Sequence, residues 1–128
     1  MHHVALAVED LDQAIDTYVR FFGAEVEERA RIEEQGVDAV YLRVGEGRLE
    51  LVSPLDPDTP VGRFLARRGP GMHHVAFEVD DVGEAVAMLN RSGANVLEPA
   101  PRRGFGGHQV AFVHPESLRG VLAEVVGG

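Results

Sequence analysis

The chain has 128 residues, a net charge of −9 and no cysteine. Its length suits one domain built from two halves that would each be only marginally stable alone. The lack of cysteine excludes disulfides and thiolate metal ligands. The acidic balance argues against non-specific nucleic-acid binding, because such binding depends on neutralising phosphates. No apolar run reaches the roughly 20 residues of a membrane span, and the start of the chain lacks the pattern of a secretory signal, so we expect a cytoplasmic protein.

The first half predicts one strand, one helix and three further strands. Alternating residues from 3 to 8 indicate a strand with a buried face. Apolar residues at helical spacing then follow Asp10, which suits an N-cap, and stop at Gly23. Strands are predicted over 24–32, 37–44 and 49–52, the last two joined as a hairpin.

A proline-rich linker at 54–60 leads into a short helix, with Thr59 as its cap and its end near Arg68. The second half repeats the order of the first, with a helix at 82–91 and strands at 73–79, near 96, at 108–113 and at 120–126. The sequence therefore predicts a single α+β domain of two tandem βαβββ modules. Module one covers about 1–54, the linker and short helix 55–70, and module two 71–128.

The two halves also repeat in sequence. The segment that begins Met1-His2-His3-Val4-Ala5 returns 71 residues later as Met72-His73-His74-Val75-Ala76. After each copy comes an apolar strand with one acidic residue, Glu50 in the first half and Glu124 in the second. A duplicated unit that packs about a pseudo-twofold axis would bring both histidines and both glutamates to one place.

Strand geometry predicts which face these four residues occupy. Side chains two apart share a face, so His3 and His74 lie opposite the apolar residues that pack under the helices. Glu50 and Glu124 likewise lie opposite their apolar neighbours, and two curved half-sheets could form a cleft around the quartet. Two imidazoles and two carboxylates suit a divalent cation such as cobalt, nickel, manganese or zinc, without selecting among them. His2 and His73 should face the other side, where they either support the metal ligands or serve as packing groups, and should not bind the metal themselves.

This pattern resembles the vicinal oxygen chelate superfamily, which includes glyoxalase I, ring-cleaving dioxygenases and bleomycin resistance proteins. Within it the chain is similar to the methylmalonyl-CoA epimerase family over essentially its whole length. The motifs that carry the narrower resemblance are His3-Val4-Ala5, Glu34-Gln35-Gly36-Val37, Leu49-Glu50-Leu51, Thr59-Pro60-Val61, Gly71-Met72-His73-His74-Val75-Ala76, Gly106-Gly107, His114-Pro115-Glu116-Ser117 and Gly120-Val121-Leu122-Ala123-Glu124. The stretch 114–124 and the double histidine after glycine are the most specific.

The resemblance implies that the quartet binds the metal and that the enzyme interconverts the two epimers of methylmalonyl-CoA. The reaction removes the α-proton through a metal-stabilised enolate, and the resemblance gives Glu124 the role of one catalytic base. Some relatives carry a second glutamate base where this chain has Ala39. The second acid/base group is therefore open, with water or Glu50 as alternatives.

An acyl-CoA substrate needs cationic contacts, and Arg102 and Arg103 beside the loop at 104–107 are our candidates, with Ser117 as a further substrate-binding residue. Unpaired sheet edges favour a homodimer. Two other functions stay open: a glyoxalase I-type enzyme, whose usual Asp-Pro-Asp-Gly turn is replaced here by His114-Pro115-Glu116-Ser117, and a non-catalytic binding protein of the same fold.

Overall fold

The computed structural model of the chain describes residues 1–127, so that Gly128, the last residue of the predicted second module, lies outside the described part. Two compact units are present: one spans His3–His73, and the other combines residues 1–2 with the chain from His74 onward. Each half contributes the order strand, helix, strand, strand, strand. The predicted fold class, two tandem βαβββ modules, is confirmed.

In the first unit, strands that are distant in sequence become neighbours. Its elements are β1 (His3–Ala7), α1 (Leu11–Phe22), β2 (Glu25–Ile32), β3 (Val37–Val44), β4 (Gly47–Pro54) and α2 (Pro60–Arg68). The strand order is β2-β3-β4-β1, with β1 parallel to β4 and the other pairs antiparallel. The first strand of the module therefore lies directly beside its last one.

The second unit repeats this arrangement. Its elements are β5 (Gly71–Glu78, in this unit from His74), α3 (Val82–Arg91), β6 (Val96–Arg103), β7 (Gln109–Val113) and β8 (Ala123–Gly127). The order is β5-β8-β7-β6, and β5 runs parallel to β8. The first and last strands of the module are thus neighbours in this unit as well.

Local capping fixes where the helices begin. Asp10 Oδ1 accepts a hydrogen bond from Gln13 N–H (3.0 Å) before α1, and Asp81 Oδ1 accepts one from Glu84 N–H (2.9 Å) before α3. Such caps satisfy N–H groups that the first helical turn leaves without partners. The predicted helix starts are confirmed. None of the helices in residues 1–127 is long and apolar enough to cross a membrane.

The helices pack on one face of their strands, and this leaves the other face for the polar residues. In the first unit, the buried cluster between α1 and the strands includes Leu11 of α1 together with Val40, Leu42 and Leu51 of the strands. In the second, the buried residues between α3 and the strands are Val82 of α3 together with Val96, Ala111 and Val125 of the strands. Because strand side chains alternate, the residues between these apolar positions point to the opposite face.

Strand boundaries differ from the prediction, most of all in β4, β6 and β8. The strand predicted near residue 96 extends to Arg103 as β6, although it contains two prolines, and its pairing with β7 shifts between Leu97 and Arg102. The hairpin strand β4 is longer than predicted, and β8 begins at Ala123 instead of residue 120. Proline is tolerated in β6 because an outer strand leaves some of its N–H groups unused.

The start of α2 contains a glycine, Gly62, at which a side chain would collide with the linker backbone. Thr59 Oγ1 accepts a hydrogen bond from Gly62 N–H (3.0 Å) and donates one to the Asp56 carbonyl oxygen (2.9 Å). A Cβ on Gly62 would lie 2.5 Å from the carbonyl oxygen of Pro57. The linker backbone and the first turn of α2 are therefore in contact at this point.

We expect Gly62→Ala to destabilise the protein by about 2 kcal/mol, because the backbone of the linker must move to accept the methyl group. Urea unfolding of wild type and variant measures the difference. Gly83→Ala in α3 is the matched control, since its Cβ would meet only the Asp81 side chain, at 3.3 Å; it should stay within about 1 kcal/mol of wild type. Equal stability of the two variants would contradict the close contact.

Candidate metal centre

The first unit brings His3 and Glu50 together. The parallel pairing of β1 and β4 places Ala5 beside Glu50, and His3 shares the face of Ala5. His3 Nε2 lies 3.2 Å from Glu50 Oε1. The two residues are only 1% and 5% exposed. An imidazole and a carboxylate are thus held in contact away from water.

The second unit brings His74 and Glu124 together in the same way. The pairing of β5 with β8 places Ala76 beside Glu124, and Val75 N–H donates to the Leu122 carbonyl oxygen (3.2 Å). Ligand atoms of His74 and Glu124 lie within 4.8 Å of each other. These residues are 6% and 5% exposed. Each module therefore carries one buried histidine–glutamate pair.

These pairs fit a divalent cation. Removing an ionised carboxylate from water is costly unless an opposite charge or a metal compensates it. Metal–nitrogen and metal–oxygen bonds of about 2.1 Å place adjacent ligand atoms of one ion about 3 Å apart, which is the spacing of His3 Nε2 and Glu50 Oε1. Nitrogen and oxygen donors suit first-row ions such as zinc, manganese, cobalt and nickel.

The neighbouring histidines have other contacts. The ring of His73 lies 4.9 Å from that of Phe64 on α2, and burial lowers the pKa of His73 because the imidazolium would lose its hydration. The ring of His2 lies 6.4 Å from that of His108, and its N–H donates to the Ala76 carbonyl oxygen (2.7 Å). These contacts agree with the expected packing role of His2 and His73.

Sequence reasoning missed an aromatic residue beside each histidine. The Tyr41 ring lies 5.3 Å from the His3 ring, and the Phe112 ring lies 5.4 Å from the His74 ring. Tyr41 is the register partner of Glu50 on the adjacent strand, as Phe112 is of Glu124. The signal was available, because Tyr41 and Phe112 stand 71 residues apart, as His3 and His74 do.

The predicted substrate-binding residues lie at different places in the second unit. Arg102 extends over the Phe112 ring, with its Cζ 5.5 Å from the ring centroid. Arg103 is exposed and pairs with Gln109 in register. Ser117 is exposed in the 3₁₀ turn Pro115–Leu118, and its Oγ accepts a hydrogen bond from Asn95 N–H (2.8 Å). Arg102 thus contacts a neighbour of the His74–Glu124 pair.

The position of the missing second base is buried and apolar. Ala39 on β3 is fully buried, and it shares a strand face with Tyr41 because the two are two residues apart. Asp38 belongs to the other face, and its Oδ2 accepts a hydrogen bond from Arg29 (3.1 Å). Asp38 is thus engaged elsewhere and does not replace the glutamate.

Comparison with known proteins identifies the family. The profile of the Glyoxalase/Bleomycin resistance protein/Dioxygenase superfamily matches residues 2–112. The chain belongs to this superfamily. Its resemblance to that group, expected from the two repeated halves, is confirmed.

Within the superfamily, the relatives that are similar over the whole chain include several epimerases. A mitochondrial methylmalonyl-CoA epimerase of Dictyostelium discoideum is 36% identical over 126 residues, which covers 98% of this chain and 76% of the relative. An ethylmalonyl-CoA/methylmalonyl-CoA epimerase of Cereibacter sphaeroides is 35% identical and covers 98% and 95%. A variant of Streptomyces coelicolor methylmalonyl-CoA epimerase, in complex with 2-nitronate-propionyl-CoA, superposes with a TM-score of 0.95 at 36% identity, covering 100% and 96%. Similarity thus extends past the profile match to include Glu124.

Proposed function

We propose that this protein is an epimerase that interconverts (R)- and (S)-methylmalonyl-CoA. The observation that carries this function is the similarity of the whole chain to methylmalonyl-CoA epimerases at 35–36% identity. The glyoxalase I alternative has weaker support, because the similarity to a lactoylglutathione lyase is 29% identity over 124 residues. The reaction inverts the carbon between the thioester and the free carboxylate, so it needs a group that removes the α-proton and a group that returns one.

We further propose that His3, Glu50, His74 and Glu124 bind one divalent cation. The equivalent position of the two pairs in the duplicated modules supports a shared site. A cation held there would act as a Lewis acid for the charge that develops on the thioester oxygen. The donor set does not select among cobalt, nickel, manganese and zinc.

Glu124 is the proposed catalytic base. One of its carboxylate oxygens takes the α-proton, and burial keeps that carboxylate away from bulk water. Reprotonation on the opposite face inverts the centre. Because Ala39 occupies the position of the second base in some relatives, that proton comes from water or from Glu50. Arg102, Arg103 and Ser117 are proposed to contact the acyl-CoA substrate.

The organisation of the protein is part of this proposal. We propose one domain, with module one at about 1–54, a linker and short helix at 55–70, and module two at 71–128. A homodimer and a cytoplasmic location are further predictions. The net charge of −9 agrees with a small-molecule substrate and not with nucleic acid.

Solvent exchange at the α-carbon tests the function. We expect the wild-type protein to replace the α-hydrogen of methylmalonyl-CoA by deuterium in D₂O, because proton removal and return are the two steps of epimerisation. Proton NMR of the substrate follows the exchange. The hemithioacetal of methylglyoxal and glutathione is the matched substrate for glyoxalase I. Turnover of that compound without α-exchange would favour the glyoxalase, and no reaction with either would favour the binding protein.

A further inference from the structure

In the first unit, the guanidinium of Arg48 lies over the ring of Tyr41, which contacts the proposed metal ligand His3. Tyr41 pairs with Glu50 and contacts His3, and the Cζ of Arg48 lies 5.2 Å from the centroid of the Tyr41 ring. Arg48 Nε also donates to Glu27 Oε1 at 2.9 Å. The charge of this arginine is therefore compensated by a carboxylate of its own unit.

The second unit repeats the stack with a different arginine. Phe112 pairs with Glu124 and contacts His74, and Arg102 lies over the Phe112 ring. Arg102 is the register partner of Val110, two residues before Phe112, so it occupies the face of the His74–Glu124 pair. A guanidinium is thus one aromatic ring away from a proposed metal ligand.

The two arginines differ in their partners. The ion pairs of residues 1–127 include Arg48 with Glu27, but they do not include Arg102. Arg102 Nε is buried and has no hydrogen-bond partner within the described part of the chain. A guanidinium stays charged at all physiological pH values, and a buried donor without an acceptor calls for an explanation. A ligand that carries an anionic oxygen would supply the acceptor.

We propose that Arg102 binds the free carboxylate of the substrate and so selects malonyl-type thioesters over uncharged acyl-CoA. The inference rests on the proposed function, which places a methylmalonyl group at the His74–Glu124 pair. Two parallel N–H groups of a guanidinium match a carboxylate, and such charge-assisted hydrogen bonds are among the strong ones. The phosphates of coenzyme A are a less suitable partner, because the whole pantetheine arm separates them from the reacting carbon.

Neutralising the carboxylate also helps the chemistry. A negative charge next to the α-carbon opposes the build-up of a second negative charge when the proton leaves. A guanidinium on that carboxylate reduces this repulsion. Arg102 is then the residue that determines specificity for the carboxylate, while Arg103, which alternates to the other side of β6, is left to contact the coenzyme A part of the substrate.

Binding measurements with two thioesters separate the carboxylate from coenzyme A. Methylmalonyl-CoA and propionyl-CoA differ only by the carboxylate, and isothermal titration with cobalt-loaded protein gives a Kd for each. We expect Arg102→Ala to weaken methylmalonyl-CoA binding by about tenfold or more and to change propionyl-CoA binding less than twofold. Arg103→Ala is the matched neighbour and should leave the ratio of the two Kd values unchanged.

Several outcomes overturn the proposal. Equal weakening of both thioesters would place Arg102 on coenzyme A, and no change in either would remove it from the site. A wild-type protein without preference for methylmalonyl-CoA would also contradict it. Arg102→Gln, which keeps the aliphatic start of the side chain and a polar end but removes the charge, gives a second variant if Arg102→Ala unfolds. The epimerase function is judged separately, by α-exchange in the wild type, so its failure is distinguishable from failure of the arginine assignment.

Discussion

Glu124→Gln should slow exchange of the α-hydrogen of methylmalonyl-CoA with solvent by about 10²- to 10⁴-fold, the usual contribution of a positioned general base. Glutamine keeps the shape of the side chain in its buried place on β8, but an amide does not accept the proton. Because a substitution of equal size leaves the packing intact, the loss would reflect the missing carboxylate, as a base or as a metal ligand. Proton NMR in D₂O measures the exchange from each epimer separately.

Glu50→Gln is the matched control for this experiment. Glu50 is as buried as Glu124 and holds the equivalent place in its module. If Glu124 is a base and not merely a ligand, exchange from one epimer should fall much further in Glu124→Gln than in Glu50→Gln. A preferential loss from the other epimer in Glu50→Gln would assign Glu50 as the second acid/base group. Exchange within tenfold of wild type in Glu124→Gln would end the proposed role of that carboxylate.

The helices and the face of the quartet could be predicted because the governing rules are local. Asp10 and Asp81 cap helices because a short side-chain oxygen reaches an N–H three residues on. His3 and His74 lie opposite the helix-packing face because strand side chains alternate. The duplication then pairs each histidine with a glutamate, Glu50 or Glu124, since the same residue types return at matching places in both halves.

Cross-strand contacts were harder to predict, because they depend on register and not on the period along one strand. The alternation of side chains along β3 and β7 does not predict that Tyr41 lies beside Glu50 or that Phe112 lies beside Glu124. The pairing of β6 was missed for a related reason. Its prolines argue against a strand in propensity terms, yet the shift in pairing between Leu97 and Arg102 accommodates them and places Arg102 over Phe112.

Removal of divalent metal should lower the melting temperature of the wild-type protein by on the order of 10 °C. A ligand at 100 times its Kd stabilises the native state by about 2.7 kcal/mol, and for a domain of this size each kcal/mol corresponds to about 4 °C. A cation at the proposed site would also relieve the cost of burying the carboxylates of Glu50 and Glu124. Calorimetry after chelation, and after adding back cobalt or nickel, measures the shift.

Single substitutions decide whether the two modules share one ion. His3→Ala and His74→Ala each remove one imidazole from a different module, and with a shared site each should abolish most of the gain in melting temperature on adding cobalt. The gain is compared instead of the absolute temperature, because removing a buried ring also leaves a cavity. His108→Ala, at an exposed histidine, is the matched control and should keep the full gain. Two ions per chain, or a gain that survives in either variant, would contradict convergence of His3 and His74 on one cation.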